Sequence, residues 1–152
     1  MIETIECDLL ESNCKIRAHQ VNCKGVMGSG VAACVKEKYP EAFAAYQEKC
    51  KLHGSKMLGH VQYVKCHDGT IIANMFAQNR YGHTDKRYTN YDALTKCLQN
   101  VCVTADKQKL SIAFPYLLGC DRGGGNWNTV KDFIEILFHD YYPDIKCEIC
   151  KL

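Results

Sequence analysis

The stretch HQVNCKGVMGSGV, residues 19–31, joins a strand pattern to a helical pattern through a glycine-rich loop. Apolar periodicity predicts the strand over residues 15–22 and the helix from residue 31 to about residue 39. Such a loop points free backbone N–H groups at an anion, because glycine places little side chain in the way. This junction therefore predicts an α/β unit with an anion-binding loop.

A second loop of the same kind reads GCDRGGGNW over residues 119–127. It follows a buried strand predicted over residues 110–115 and precedes a helix that Asn126 can cap. One such loop alone is equally typical of an ordinary turn that uses glycine for positive φ. Two of them, both between a strand and a helix, favour a phosphate-bearing ligand.

The remaining patterns alternate strands and helices along the whole chain. Further strands are predicted over residues 2–7, 57–66, 70–77 and 145–150, and further helices over 41–52, from a Thr89–Asp92 capping box onward, and around 130–138. The tripeptide HDG at 67–69 predicts a tight hairpin. Hairpins mixed with crossover helices predict one domain, residues 1–152, with a three-layer α/β/α architecture on a central mixed β-sheet.

Composition and charge exclude several other classes of protein. The chain has 152 residues, 47% apolar and 24% charged, which excludes a disordered, collagen-like or coiled-coil chain. The formal charge of +2 comes from interspersed charges, so nucleic acid is not an expected partner. No apolar run could cross a bilayer, and residues 1–20 are too charged for a signal peptide. We expect a cytoplasmic monomer without membrane contact.

The eleven cysteines are an odd number, so a closed disulfide framework would leave one thiol over. Cys147 and Cys150 form a CxxC pair, which is half of a structural zinc site, but no second half is present. The other cysteines are scattered as small buried apolar residues usually are. We expect reduced thiols, no metal and no cofactor.

Several of these features together resemble one known family. They are the HQVNC segment at 19–23 with the glycines that follow it, the Tyr39-Pro40 pair that ends a helix, the glycines at 54 and 59, and the loop at 119–127. In this combination the chain resembles the macro domain, an α/β/α fold that binds ADP-ribose. Within that superfamily it is most similar to small stand-alone members such as the ADP-ribose 1″-phosphate phosphatases.

The resemblance implies a set of ligand-binding residues. Asp8, with Leu9 beside it, would accept a hydrogen bond from the adenine amino group, although Asp8 could equally be a solvated turn residue. Asn22 would bind the distal ribose. The residues of the two loops would surround that ribose and the diphosphate: Gly28, Ser29, Gly30 and Val31 on one side, and Gly119, Cys120, Asp121, Arg122, Gly123, Gly124, Gly125 and Asn126 on the other.

The catalytic candidates are His19, Asn22 and Asp121. Histidine can act as an acid or base near neutral pH, although His19 is equally well explained as a strand histidine satisfied by the backbone. Asp121 lies about two positions before the aspartate that some glycohydrolase members carry, where Gly123 aligns, and it could simply pair with Arg122 on the surface.

Gln78 stands where the glycohydrolase members of the family carry a lysine, and a glutamine cannot form a Schiff base. The polar loop at 78–88 that begins there holds a basic and aromatic cluster. Arg80 and Tyr81 are possible contacts at the rim of the site, whereas His83, Lys86 and Arg87 are expected to be solvated.

Together with the resemblance, these features predict that the chain hydrolyses ADP-ribose derivatives, most simply as an ADP-ribose 1″-phosphate phosphatase. The alternatives are a binding module that reads or sequesters ADP-ribose without turnover, and an ADP-ribosyl glycohydrolase or deacylase. A nucleotide-dependent dehydrogenase fits poorly. The GSGVAA segment at 28–33 matches the dinucleotide fingerprint, but five residues separate it from the strand.

Overall fold

A computed structural model describes residues 1–82, 84 and 86–152. Within these residues the strands are β1 (Ile2–Glu6), β2 (Ile16–Val21), β3 (Val61–Lys65), β4 (Ile71–Phe76), β5 (Ile112–Pro115) and β6 (Cys147–Lys151). The helices are α1 (Gly30–Lys38), α2 (Pro40–His53), α3 (Tyr91–Gln108) and α4 (Trp127–Glu135). The order of strands and helices along the chain agrees with the prediction.

The strands form one mixed sheet in the order β1-β6-β5-β2-β4-β3. All neighbouring pairs are parallel except β3 and β4, which are antiparallel and joined by the predicted hairpin. Gly69 supplies the positive φ of 87° in that turn. Because β2, β4 and β5 run in the same direction, their carboxyl ends meet at one edge of the sheet.

Helices cover both faces of the sheet. On one face, Ala73 and Met75 of β4 belong to a buried cluster with residues of α3 and α4, such as Leu94 and Val130. On the other face, the α2 side chain Tyr46 packs against Phe76, with ring centroids 5.7 Å apart. This arrangement confirms the three-layer α/β/α architecture on a mixed sheet.

The predicted start of the third strand is wrong. The strand was expected from residue 57, but β3 begins at Val61. The reason is that Gly54 ends α2 with a φ of 52° and opens a 3₁₀ turn, Gly54–Met57. The last predicted helix also changes character, since α4 continues into a π-helical segment, Ile136–Tyr141.

The predicted Thr89–Asp92 capping box is also wrong. The N-cap of α3 is Asn90, whose side chain accepts a hydrogen bond from the Ala93 N–H at 3.0 Å. The Thr89 hydroxyl instead donates to the Gly119 carbonyl at 2.7 Å. Thr89 therefore connects the start of α3 to the second glycine-rich loop.

The other sequence features have simple structural counterparts. No described helix is both long and apolar enough to span a bilayer. All eleven cysteines are free thiols. Cys147 and Cys150 are buried in β6, and no three His, Cys, Asp or Glu side chains of the described residues come together as a metal site.

Candidate ligand-binding site

A cavity of about 280 Å³ lies at the edge where the parallel strands end. Its lining includes Asn22 directly after β2, Gln78 shortly after β4, and the segment 115–118 at the end of β5. Residues of both glycine-rich loops line the cavity, and we call the loops its first and second walls. Ligands of open α/β sheets characteristically bind at this edge.

The first wall is the loop that leads into α1. Gly28, Ser29, Gly30, Val31 and Ala32 all line the cavity. Ser29 is the N-cap of α1, and its side chain makes no capping hydrogen bond with the described residues. The first N–H groups of a helix have no partner within the helix, so uncapped groups are available to an anion.

Asn22 explains why this loop keeps its shape. Its Oδ1 accepts hydrogen bonds from the Lys24 N–H at 2.9 Å and from the Tyr46 hydroxyl at 2.7 Å. Its Nδ2 donates to the Val26 carbonyl at 2.8 Å. Both ends of the amide therefore stabilise the turn, and the described residues engage only one of the two Nδ2 hydrogens.

His19 is among the residues that line the cavity, yet it is only 1% exposed. Its Nε2 is 2.6 Å from Oδ1 of Asn74, while its Nδ1 has no hydrogen-bond partner among the described residues. Burial lowers the pKa of His19 to about 4, although the contact with Asn74 acts in the opposite direction. His19 is therefore neutral at pH 7, and its partner is a side chain rather than the backbone.

The second wall is held by a chain of side-chain hydrogen bonds that we call the clasp, consisting of Gln20, Gln78, Thr89 and Gly119. Nε2 of Gln20 donates to Oε1 of Gln78 at 2.7 Å and to the Thr89 hydroxyl at 2.8 Å. The Thr89 hydroxyl in turn donates to the Gly119 carbonyl. The clasp therefore joins the ends of β2 and β4 to the second glycine-rich loop.

Two glycines of the second loop are required by packing. A Cβ on Gly123 would lie 2.7 Å from the Gly119 carbonyl oxygen and would also collide with the Thr89 hydroxyl. Gly124 has a φ of 70°, and a Cβ there would lie 3.0 Å from the Lys86 carbonyl and 3.1 Å from the Arg87 Cα. Gly124 thus packs against the segment that precedes α3, and it does not line the cavity.

The structure brings together most of the candidate residues in the two walls. The ones that line the cavity are His19, Asn22, Gly28, Ser29, Gly30, Val31, Gly119, Asp121, Arg122 and Gly123. Those outside its lining are Asp8, Leu9, Cys120, Gly124, Gly125 and Asn126. Tyr81 lines the cavity but Arg80 does not, Lys86 and Arg87 are exposed, and His83 lies outside the described residues.

Asp8 and Leu9 lie at the same edge of the sheet, after β1. Asp8 caps a short 3₁₀ turn by accepting a hydrogen bond from the Leu10 N–H at 3.0 Å. Leu9 is 5% exposed and packs in the core beneath α1 and α2. Since β6 and β5 separate β1 from β2, a ligand would have to extend beyond the cavity to reach Asp8.

Two of the other predicted loop residues, Asn126 and Cys120, have structural roles outside the cavity lining. Asn126 caps α4 by accepting a hydrogen bond from the Thr129 N–H at 3.2 Å, as predicted. The Cys120 thiol contacts the Leu118 carbonyl at 3.2 Å. Asp121 and Arg122 are exposed at the cavity rim.

Sequence reasoning missed the contribution of residues 115–118 and of Gln20. The segment turns across the cavity because Leu117 adopts a positive φ of 64°, which is unusual for a residue with a branched side chain. The position of residues 115–118 directly after a buried central strand could have indicated that they line the site. No sequence pattern pointed to Gln20, because its role depends on two partners far away in sequence, Gln78 and Thr89.

The thiols near the cavity are poor nucleophiles. Burial raises the pKa of Cys23 and of Cys120 to about 11 in each case. Both are therefore protonated at neutral pH, and neither lines the cavity. None of the described residues that line the cavity is a lysine.

Comparison with known proteins identifies the family. The family model described as the Macro domain matches residues 18–134, which include most of β2, both glycine-rich loops and the start of all four helices. The chain belongs to the macro domain family. This macro domain also resembles the solved macrodomain of Mycobacterium tuberculosis DarG, with a TM-score of 0.85 and 28% identity over 99% of this chain and 97% of that one.

Two kinds of enzyme are among its relatives. A DNA ADP-ribosyl glycohydrolase of Mycobacterium bovis is 30% identical over 144 residues, covering 93% of this macro domain and 40% of that protein. An ADP-ribose 1″-phosphate phosphatase of Meyerozyma guilliermondii is 32% identical over 80 residues, covering 44% of this macro domain and 46% of that protein. The matched part is less than half the length of either relative. The relatives of this macro domain thus include hydrolases that act on ADP-ribose derivatives.

Proposed function

We propose that this macro domain binds ADP-ribose derivatives in the cavity and hydrolyses the phosphate ester of ADP-ribose 1″-phosphate. The uncapped start of α1 carries the binding part of the proposal. Asn90 and Asn126 cap α3 and α4, whereas the first turn of α1 lines the cavity without a side-chain cap among the described residues. Helix N–H groups and the helix dipole favour a phosphate there.

The diphosphate of ADP-ribose would lie between the start of α1 and the second loop. Gly119 and Gly123 bring bare backbone to the opposite wall, so the two walls can approach the ligand closely. The adenine end would extend along the sheet edge towards Asp8 and Leu9. The remaining loop residues, Cys120, Gly124, Gly125 and Asn126, would shape the second wall from behind.

We place the distal ribose beside Asn22 and His19, which share the wall with the start of α1. The second Nδ2 hydrogen of Asn22, which no described residue accepts, can be donated to a ribose oxygen. The neutral His19 can accept a proton or a hydrogen bond at Nδ1, because Nε2 is occupied by Asn74.

In the proposed reaction, a water oxygen attacks phosphorus while the bond between phosphorus and the ribose oxygen breaks. The ribose oxygen keeps that electron pair and takes up a proton, and inorganic phosphate leaves with the other hydrogen of the water. His19 accepts the water proton at Nδ1 and returns it to the ribose oxygen. Asp121, whose carboxylate is at the rim, would orient the water.

Gln78 favours a phosphate ester over a glycosidic bond. It stands where the resemblance places the lysine of glycohydrolases, and both ends of its amide are engaged. Oε1 accepts from Gln20, and Nε2 donates to the Arg80 carbonyl at 2.7 Å. An amide held in this way offers no amine for a Schiff base.

A DNA ADP-ribosyl glycohydrolase is the second candidate, because a relative of that name covers 93% of this chain. The purified protein should be assayed with ADP-ribose 1″-phosphate and with an ADP-ribosylated oligonucleotide, and ADP-ribose binding measured by calorimetry. We expect release of phosphate. Release of ADP-ribose from the oligonucleotide alone would select the glycohydrolase, and tight binding without turnover would select a binding module.

The control for this assay is a pair of histidine variants. His19→Ala should lose phosphate release, whereas His67→Ala should retain it, because His67 is exposed and paired with Glu41 away from the cavity. A protein that binds no ADP-ribose at all would contradict the proposal and both alternatives.

A further inference from the structure

We propose that Asn74 and Gln62 are positioning residues that hold His19, a residue of the cavity lining, in one tautomer, with the proton on Nε2 and Nδ1 unprotonated. These two residues lie beneath α2, away from the cavity lining. The inference deepens the proposed function, because it defines which chemistry His19 can offer to a ligand.

The chain of contacts starts at a backbone carbonyl of α2. Nε2 of Gln62 donates to the Ala45 carbonyl at 3.0 Å, and a carbonyl can only accept. The amide of Gln62 therefore has one orientation, with Oε1 at its other end. That oxygen accepts a hydrogen bond from Nδ2 of Asn74 at 3.1 Å.

The second step fixes Asn74. With Nδ2 directed at Gln62, and also 3.5 Å from the Ala42 carbonyl, the Asn74 amide presents Oδ1 to His19. This oxygen is 2.6 Å from His19 Nε2 and can only accept, so the imidazole proton must be on Nε2. Two backbone carbonyls of α2 thus determine the tautomer of a histidine on β2.

The third step concerns the free nitrogen. Nδ1 of His19 is buried and has no hydrogen-bond partner among the described residues. Burial keeps the imidazole neutral at pH 7, so Nδ1 carries a lone pair. A buried acceptor without a partner is costly, and on a residue that lines the cavity it favours a donor such as water or a sugar hydroxyl. A phosphate dianion, which has only acceptor oxygens, is disfavoured in direct contact with it.

If Asn74 were reversed, the chemistry of this wall would be inverted. Nδ2 of Asn74 would then donate to Nε2, and the imidazole proton would move to Nδ1. The cavity would meet a donor in place of an acceptor, and His19 could no longer accept a proton from water. The orientation of Asn74 therefore decides whether His19 can act as a base.

Nuclear magnetic resonance of the ¹⁵N-labelled protein tests this assignment directly. Protonated and unprotonated imidazole nitrogens have well-separated ¹⁵N shifts. At pH 7 we expect the unprotonated shift at Nδ1 of His19 and the protonated shift at Nε2. The reverse assignment, or averaged shifts for both nitrogens, would overturn the proposal.

Two variants test the positioning residues. Gln62→Leu removes the shorter of the two contacts that orient Asn74 and leaves only the 3.5 Å contact with the Ala42 carbonyl, so we expect the His19 nitrogen shifts to move towards averaged values. Asn74→Leu should do the same where it folds. Asn100→Leu is the matched control. Asn100 accepts a hydrogen bond from Tyr63, which is next to Gln62 on β3, but it takes no part in the contacts that orient Asn74. Unchanged His19 shifts in Gln62→Leu would overturn the role of Gln62.

Kinetics separate this proposal from the proposed function. If the protein releases phosphate, Gln62→Leu should lower kcat about tenfold with KM within a factor of two. The nitrogen shifts need no substrate, so the tautomer can be confirmed even if no hydrolysis occurs. Conversely, phosphate release by a protein with the reversed tautomer would overturn the positioning role and leave the proposed function standing.

Discussion

Burial changes what a single residue can do, and His19 shows this most clearly. A histidine in water titrates near neutral pH, which is why the sequence suggested acid or base chemistry there. In the structure the side chain is fully enclosed and its pKa falls to about 4. His19 therefore offers only a neutral imidazole in the physiological range, which suits a base better than an acid.

The same burial predicts how the stability of the protein depends on pH. The folded-state pKa of His19, about 4, lies below its unfolded value of 6.5, so the unfolded state binds the proton more readily between these values. Stability is complete above about pH 6.5 and should fall by about 3 kcal/mol as the pH decreases to 4. Urea denaturation at half-unit pH steps measures this slope.

His139 provides the control for that measurement, since it is exposed beside Asp140. His139→Gln should keep the slope between pH 6.5 and 4, and His19→Gln should remove most of it. The Asp68 carboxyl, whose pKa is lowered to about 2 chiefly by the Thr70 N–H, contributes a separate loss below pH 4. An equal slope in wild type and His19→Gln would contradict the assignment.

A second prediction at this scale compares His19 with the two loop cysteines. The double variant Cys23→Ser, Cys120→Ser should keep hydrolysis within about tenfold, because both thiols are protonated and outside the cavity lining. His19→Ala should lower the rate roughly a hundredfold or more, the usual effect of removing a general base. Steady-state phosphate release measures both. An inactive cysteine variant and an active His19→Ala would refute this mechanism.

At the scale of elements, the site depends on which helix N-termini are capped by a side chain. Asparagines cap α3 and α4, whereas the start of α1, which lines the cavity, has no side-chain cap among the described residues. Adjacent residues can then have quite different roles. Asn90 caps α3, whereas Thr89 belongs to the clasp that holds the second loop.

This division predicts opposite effects for two neighbouring substitutions. Asn90→Ala should lower the free energy of unfolding by about 1 kcal/mol, the usual value of an N-cap, with little change in ADP-ribose affinity. Thr89→Val should weaken ADP-ribose binding, because it breaks the clasp at Gly119. Denaturation and calorimetry on both variants distinguish these roles. Equal losses of affinity in the two variants would argue against the clasp.

The glycines of the two walls give the next prediction. Gly123→Ala should destabilise the fold by about 1–3 kcal/mol, the typical cost of overpacking, because its Cβ would displace the clasp. Gly28→Ala is the control, since a Cβ there would meet only Val26 at 3.4 Å. Thermal unfolding of the two variants measures the difference in stability.

Gly124→Val should act through the backbone of Lys86 and Arg87 rather than by filling the cavity.

At the scale of the whole molecule, the sequence predicted the elements well and their arrangement less well. Periodicity and turn residues located the six strands and four α-helices of the described residues, because those signals are local. The order of strands in the sheet depends on contacts between distant segments, such as the pairing of β2 with β4 and β5. No local pattern contains that information.

The candidate site shows the same division. The glycines at 28, 30, 119 and 123 were found because loops between strands and helices have a recognisable composition. Residues 115–118 were missed because their place in the cavity comes from the positive φ of Leu117. Gly124 and Cys120 face away from the cavity lining because the second loop turns back onto Lys86 and Leu118.

The distribution of thiols over the whole molecule is also testable. Cys34 is exposed, whereas the other ten cysteines are buried or partly buried. A brief treatment of the native protein with a maleimide should therefore add one label, at Cys34, with slower addition elsewhere. Mass spectrometry counts the labels, and Cys34→Ser should remove the fast addition. Rapid labelling of several sites would mean that the packed layers open readily.

The pairing of β1 with β6 has a consequence for the order in which the molecule is assembled. Ile2 lies opposite Cys147, so β1 pairs with a strand that follows it by 145 positions along the chain. Every residue that lines the cavity falls between His19 and Gly123, within the part that matches the family. During synthesis, the segment that builds the cavity is therefore complete before β6, the partner of β1, has been made. The binding edge can take shape before the far edge of the sheet is closed, and contacts of such long range form slowly.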